Sequence, residues 1–242
     1  MQANNYRRIV NVSGNPGALT DIASPHSACS VDLSPAGRLS KTLLNGLTVL
    51  LATELRGTNI LAHAKVGEVL DVFGPLGRGF IVAEDQPACL IGGGLGIAPM
   101  LFMAKIISSL SRDHSQDLII LGGRTREDVE PLVEYFRQFG LALHCATDYG
   151  SYGIKGFVTD ILRSEKLAPH TRLYGCGPDN MLEVLHHFSR ERNLDCQVSV
   201  ESVMACGMGA CLGCAVESRI ESDHYLHACM DGPVFPADAL KF

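Results

Sequence analysis

Four cysteines, Cys206, Cys211, Cys214 and Cys229, constrain this 242-residue chain more than any other feature. Their spacing is Cys-x4-Cys-x2-Cys, then fourteen residues, then Cys. The tract that holds them, 201–242, is rich in Cys and Gly and has little apolar periodicity. A piece that small does not fold on apolar burial alone, so a metal centre is expected to supply its core. The spacing is that of plant-type [2Fe–2S] ligands. A loop that wraps a cluster closely needs small residues between its ligands. Gly207, Gly209, Ala210 and Gly213 meet that need, and backbone N–H groups in such a loop can donate to the sulfurs. Zinc is the alternative, since four thiolates also hold Zn²⁺. Zinc sites, however, usually pair two short knuckles, and here only one close pair exists.

The chain has nine cysteines, an odd total that argues against a disulfide framework. Cys29, Cys89, Cys145 and Cys196 read as small buried apolar residues. Apolar residues make up 46% and charged residues 19%, which fits a folded chain rather than a disordered one. The net charge is −6 without a Lys/Arg run, so nucleic acid is excluded as an expected partner. No membrane span is expected, because the best apolar run, 88–101, is broken by Gly92, Gly93, Gly94, Gly96 and Pro99. The first residues lack the pattern of a signal peptide, and the expected location is the cytoplasm.

Two rhythms follow each other along the chain. Residues 1–85 read as β-rich, with strands over 47–52, after the turn Asn45-Gly46, and over 66–73, before Gly74-Pro75-Leu76-Gly77. Short strands of this kind suggest a small barrel or sandwich. Over 86–200 strands alternate with helices. Strands are expected at 88–91, 117–121, 141–146, 171–174 and 197–201, and helices at 98–110, 131–139, 157–163 and 180–192. That alternation implies a parallel sheet wrapped by helices. The expected fold class is thus β plus α/β, with boundaries at 1–85, 86–200 and 201–242.

Two glycine turns follow strands of the second segment. In the first, Gly92, Gly93, Gly94 and Gly96 lie between a strand and a helix, where backbone can approach a pyrophosphate and helix N–H groups can face it. The spacing is not that of the Rossmann fingerprint, and tight packing alone would also explain it. In the second, Cys176, Gly177 and Pro178 sit between a later strand and helix. Both turns fall at carboxyl ends of parallel strands, where open α/β sheets bind ligands. Cys176 would then lie beside a nicotinamide, or else be a small residue at a crowded turn.

The run Gly-Gly-Gly-x-Gly-x-Ala-Pro from Gly92, followed by Cys176-Gly177-Pro178, resembles the nucleotide domain of the ferredoxin–NADP reductase superfamily. The text from Gln197 to Cys214, and then His227-Ala228-Cys229-Met230-Asp231-Gly232-Pro233-Val234-Phe235, is similar to electron-transfer subunits of dihydroorotate dehydrogenase B. Gly74 to Phe80 and Thr147 to Gly156 fit the same family. The resemblance covers roughly 45–242 of this chain. It implies an FAD, a [2Fe–2S] cluster and an NAD site in one chain, and an N-terminal antiparallel flavin-binding β-barrel. It also implies an FMN-containing catalytic subunit that oxidises dihydroorotate for pyrimidine biosynthesis, in a heterotetramer of two plus two. Electrons would run from FMN to the cluster, to FAD and to NAD⁺. A flavin belongs between cluster and nucleotide because it exchanges single electrons with one and a hydride with the other.

The N-terminal part departs from the family and makes a shortened barrel. The family's Pro-Gly-Gln-Phe segment is echoed by Pro16-Gly17-Ala18-Leu19, its Arg-Arg-Pro-x-Ser motif by Arg38-Leu39-Ser40, and its Gly-x-Gly-Thr motif by Leu55-Arg56-Gly57-Thr58. The resemblance therefore sets FAD against Leu50, Leu51, Ala52, Gly57 and Thr58, with Arg38 and Ser40 as further contacts or a solvated turn. Two other readings stay open. One is the small subunit of a related NAD(P)H–ferredoxin or sulfide oxidoreductase, although those tend to carry an acidic residue where this chain has Cys206. The other is a flavin-deficient binding module. The nine histidines show no ligand spacing, and no base–nucleophile constellation is evident.

Overall fold

The computed structural model describes residues 6–11, 48–52, 76–220 and 224–242. The chain divides into two units, Met1–Leu76 and Gly77–Phe242. In the first, β1 (Tyr6–Asn11) pairs antiparallel with β2 (Thr48–Ala52), with an irregularity between Tyr6 and Arg8. Leu50, Leu51 and Ala52 lie on β2. Arg38, Ser40, Gly57, Thr58 and the strand expected at 66–73 lie outside the described residues.

The second unit is built on a sheet. In chain order it runs β3 (Ala88–Gly93), α1 (Ile97–Ser108), β4 (Leu118–Gly123), α2 (Arg126–Arg137), β5 (Ala142–Thr147), β6 (Ile154–Lys155), α3 (Val158–Ser164), β7 (Arg172–Cys176), α4 (Asp179–Arg192) and β8 (Cys196–Ser199). A hairpin of β9 (Ala215–Glu217) and β10 (Tyr225–His227) follows, then β11 (Val234–Pro236). Among the described residues the sheet order is β11-β8-β7-β3-β4-β5-β6. Its pairs are parallel except β11 with β8. This is the expected parallel α/β architecture. The chain builds outward from β3 to β4, β5 and β6, then returns to add β7 on the other side. The order thus reverses between β3 and β7.

Every residue of β3 is buried, as a central strand covered on both faces requires. Cys89 and Ile91 point with Leu118 and Ile120 to the face packed by α3 and α4, against Val158, Ile161, Leu182 and Leu185. Leu90, Ile119 and Leu121 alternate to the other face, where Met100, Met103 and Ile107 of α1 and Val133 and Phe136 of α2 are buried. The first core continues through Val198 and Phe235 into Cys214, Ala228 and Cys229. The cysteine-rich tract is therefore packed on the same apolar body as the sheet.

Two expectations need correcting. The helix expected at 131–139 spans Arg126–Arg137 and carries Pro131 inside it. The Asp128 carboxylate accepts the backbone N–H of Thr125 at 2.9 Å and of Arg124 at 3.1 Å, which starts the helix early, and Val129 is buried before the proline is reached. The strand expected at 197–201 spans Cys196–Ser199. Its paired stretch is set by β7 and by β11, whose Val234 stands opposite Ser199.

Candidate functional site

The last register pair of β3 and β7 is Gly92 with Cys176, so both glycine turns leave the sheet side by side. After β3 the chain makes a short 3₁₀ turn, Gly94–Gly96, and enters α1 with no side-chain cap on its first turn and no acidic residue there. Gly94 has φ +57, a conformation that favours glycine. The two turns interlock through backbone. A Cβ on Gly96 would strike the carbonyl of Cys176, and a Cβ on Gly93 would lie 2.8 Å from Met181 Sδ and 3.3 Å from the Pro178 ring. Gly92 is hemmed in by Ile97 and Met100. The structure thus brings Gly92, Gly93, Gly94, Gly96, Cys176, Gly177 and Pro178 together at the point where strand order reverses. In open α/β sheets that is where a ligand crevice forms. The uncapped N–H groups of α1 are suited to an anionic group such as a pyrophosphate.

The cysteine tract forms a second site. Cys206 Sγ accepts the backbone N–H of Cys211 at 3.3 Å and of Met208 at 3.5 Å, and Cys211 Sγ accepts that of Gly213 at 3.5 Å. The Cys214 thiol donates to Cys229 Sγ at 3.2 Å. The β9–β10 hairpin makes that pair, because His227 stands opposite Ala215 and the Ala228 N–H donates to the Cys214 carbonyl. Cys214 and Cys229 are buried, whereas Cys211 is exposed and Cys206 half-buried. N–H donation from Met208 and Cys211 lowers the Cys206 thiol to about 6. The side-chain contact with Cys214, and burial after it, raise the Cys229 thiol.

Among the described residues, no three His, Cys, Asp or Glu side chains converge on one point as a single metal ion would require. The four cysteines form two neighbouring pairs, Cys206 with Cys211, whose backbone N–H and side chain both bond the Cys206 sulfur, and Cys214 with Cys229. Two thiolates for each of two irons is the donor set of a [2Fe–2S] centre. The residues present fit the two-iron group.

The remaining cysteines behave as small apolar side chains. Burial raises the thiol of Cys89, that of Cys145 to about 11 and that of Cys196 to about 12. Cys29 lies outside the described residues.

Comparison with known proteins bears on both sites. Residues 201–241 match the iron–sulfur cluster binding domain of dihydroorotate dehydrogenase B, and residues 90–187 match the oxidoreductase NAD-binding domain. The electron transfer subunit of dihydroorotate dehydrogenase B (NAD(+)) from Caldanaerobacter subterraneus is 40% identical over 197 residues, covering 81% of this chain and 76% of that one. The chain belongs to this family of electron transfer subunits. The Bacillus mycoides member is 37% identical over 240 residues, covering 97% of this chain and 86% of its own. Membership makes the chain an oxidoreductase subunit with a cluster domain and an NAD-binding domain. Among solved structures, the NADH-dependent reduced ferredoxin-NADP oxidoreductase shares the fold. It has a TM-score of 0.67 at 24% identity, covering 100% of this chain and 90% of that one. Among the described residues no helix is long and apolar enough to cross a membrane.

Sequence reasoning missed how the loops after β4 and β5 are braced. After β4, Arg124 and Thr125 are tied to Asp128, and the Arg126 N–H donates to Ser151 Oγ at 2.8 Å. The Arg126 guanidinium lies 5.5 Å from the Tyr152 ring. After β5, the Thr147 hydroxyl donates to the Tyr152 carbonyl and accepts its N–H. The Thr-x-x-Asp spacing at 125–128 was the available signal for the first of these.

Proposed function

We propose that this chain carries electrons between an FMN-containing catalytic subunit that oxidises dihydroorotate and NAD⁺. Cys206, Cys211, Cys214 and Cys229 would hold a [2Fe–2S] cluster. Gly92, Gly93, Gly94, Gly96, Cys176, Gly177 and Pro178 would seat NAD. The N-terminal unit would bind FAD, with Leu50, Leu51 and Ala52 on β2 and with Arg38, Ser40, Gly57 and Thr58. When bound, the cluster supplies one-electron steps, the flavin both one- and two-electron steps, and the nucleotide a hydride. The chain's own residues do the placing. Met208, Cys211 and Gly213 N–H groups donate to ligand sulfurs and so favour the reduced, more negative state. The interlocked turns at Gly96 and Cys176 hold the nucleotide crevice in shape.

The observation that carries this reading is the division of the four thiols into two pairs on the same body as the Gly92–Cys176 crevice. The catalytic subunit would meet the cluster tract, where Val203, Met204, Met208, Leu212 and Met230 are exposed around the ligands. A complex of two copies of each chain in the cytoplasm is the expected assembly.

The test is a joint assay of iron, acid-labile sulfide and flavin in anaerobically purified protein, co-expressed with the catalytic subunit. Two irons, two sulfides and one FAD per chain, with NADH-dependent dye reduction, is the expected result. Iron and sulfide without flavin would leave a flavin-deficient binding module instead.

A further inference from the structure

Cys206, Cys211 and Cys214 share one short loop, but Cys229 reaches the site from the far strand of the hairpin and needs its own means of placement. The turn that carries it hangs between two fixed points. On one side the Ala228 N–H donates to the Cys214 carbonyl at 3.0 Å. On the other, the Gly232 carbonyl accepts the Arg78 N–H, and the Pro233 carbonyl accepts the Val200 N–H at 2.9 Å. Between these points the chain makes a single turn, 227–231. The His227 carbonyl accepts the N–H of Met230 at 2.9 Å and of Asp231 at 2.7 Å. The Asp231 carboxylate reaches back and accepts the His227 N–H at 2.8 Å. The same oxygen is 3.9 Å from His227 Nδ1, beyond hydrogen-bond reach, so the backbone is what the carboxylate holds.

This closure sorts the side chains of the turn. Ala228 and Cys229 are buried, while Met230 is exposed and lies against Gly209, in the loop between Cys206 and Cys211. A Cβ on Gly209 would sit 3.1 Å from Met230 Cγ. One face of the turn therefore sets Cys229 on Cys214, and the other meets the loop of the outer pair. A single turn fixes several dihedral angles for very few bonds, so it is costly to hold without outside help. A carboxylate bonded to a backbone N–H is among the stronger ties available for that purpose. Without it the His227 N–H turns to water and the turn is free to open.

We infer that Asp231 is a positioning residue for the cluster: by accepting the His227 N–H it closes the turn that holds Cys229 beside Cys214. This rests on reading Cys229 as a cluster ligand. The acceptor oxygen is what counts, so an amide side chain at 231 serves in its place and an aliphatic one does not.

The test uses the complex co-expressed with its catalytic subunit. Three readouts are followed. They are the rate at which an iron chelator bleaches the visible absorbance, the line width of the reduced cluster's paramagnetic resonance signal, and hydrogen exchange of the His227 amide. The amides of 118–123, in the sheet, serve as the control for folding. In Asp231→Ala bleaching and His227 exchange should each rise about tenfold over the wild type, the factor that one bond to a charged acceptor represents. The signal should broaden as Cys229 takes more than one orientation, and the control amides should not change. Asp231→Asn, whose carbonyl oxygen can accept the same N–H, should restore the narrow signal and most of the difference in both rates. Wild-type bleaching and line width in Asp231→Ala would overturn the proposal, as would an Asp231→Asn protein as labile as Asp231→Ala. An Asp231→Ala chain that holds no cluster supports it if Asp231→Asn is fully loaded, and overturns it if that variant is empty too. Absence of iron and sulfide from the wild type would instead sink the ligand reading, while His227 exchange still decides whether Asp231 closes the turn.

Discussion

The Cys214 thiol donates to Cys229 Sγ across 3.2 Å inside the apolar body that also holds Val198 and Phe235, while Cys206 and Cys211 form the outer pair. Substitutions in the two pairs should therefore differ in kind. Cys211→Ser should abolish or strongly perturb the cluster's visible absorption and leave far-ultraviolet dichroism intact. Cys229→Ser should do the same and also place a hydroxyl among apolar neighbours, a cost of about 1–3 kcal/mol. Urea midpoints of the two variants separate these effects. An unchanged spectrum in Cys211→Ser would refute the ligand assignment.

The contact between Gly96 and the Cys176 carbonyl makes a second prediction. Gly96→Ala needs no unusual backbone angle, yet its methyl group must push the two turns apart. NADH affinity should fall about tenfold or more, the factor that 1.4 kcal/mol represents. Gly94→Val should weaken binding as well, because a β-branched residue is strained at φ +57. Titration with NADH reads both. Unaltered affinity in the pair would move the nucleotide elsewhere.

Thiol chemistry offers a pH-dependent check on the metal-free chain. Backbone donation to Cys206 depresses its thiol to about 6, so the thiolate predominates above that pH and is lost as pH falls through it. Iodoacetamide should label Cys206 readily at neutral pH, with the rate dropping by half near pH 6. Cys196, raised to about 12 by burial, should stay unlabelled until the chain unfolds. Peptide mass mapping distinguishes the sites, and preferential labelling of Cys196 would contradict the structure.

Asp117 anchors the opposite end of the sheet. Its buried carboxylate accepts the Ala88 N–H at 2.7 Å and pairs with Arg112 at 2.9 Å and His114 at 2.7 Å. Asp117→Ala would strand a largely buried guanidinium and the first N–H of β3. A loss of about 3–5 kcal/mol is expected from denaturant midpoints, with little change in NADH affinity in the protein that remains folded.

The strands of the parallel sheet were legible because burial on both faces writes continuous apolar runs such as 88–91 and 118–121. The cysteine quartet was legible by spacing alone. Its division into pairs was not, since that depends on the hairpin that sets His227 opposite Ala215. The early start of α2 was obscured by Pro131, a residue that reads as a helix beginning. The cap at Thr125 and Asp128 and the burial of Val129 outweigh the hydrogen bond that Pro131 forfeits. Strands β6 and β11 are two and three residues long, too short to carry an alternation, and only their partners define them.

Those short strands occupy both margins of the sheet. At one, β6 offers two residues, one of them Lys155. At the other, β11 lies on β8, ends in Pro236, and its Val234 N–H donates to the Arg78 carbonyl at 3.3 Å. Margins that are brief, charged or proline-ended resist pairing with another copy. The guard on β8 is supplied by the cysteine tract itself. Should that tract come undone, the backbone of β8 would be bared as a template for aggregation, so the tract shields the margin of the sheet as well as holding the cluster ligands.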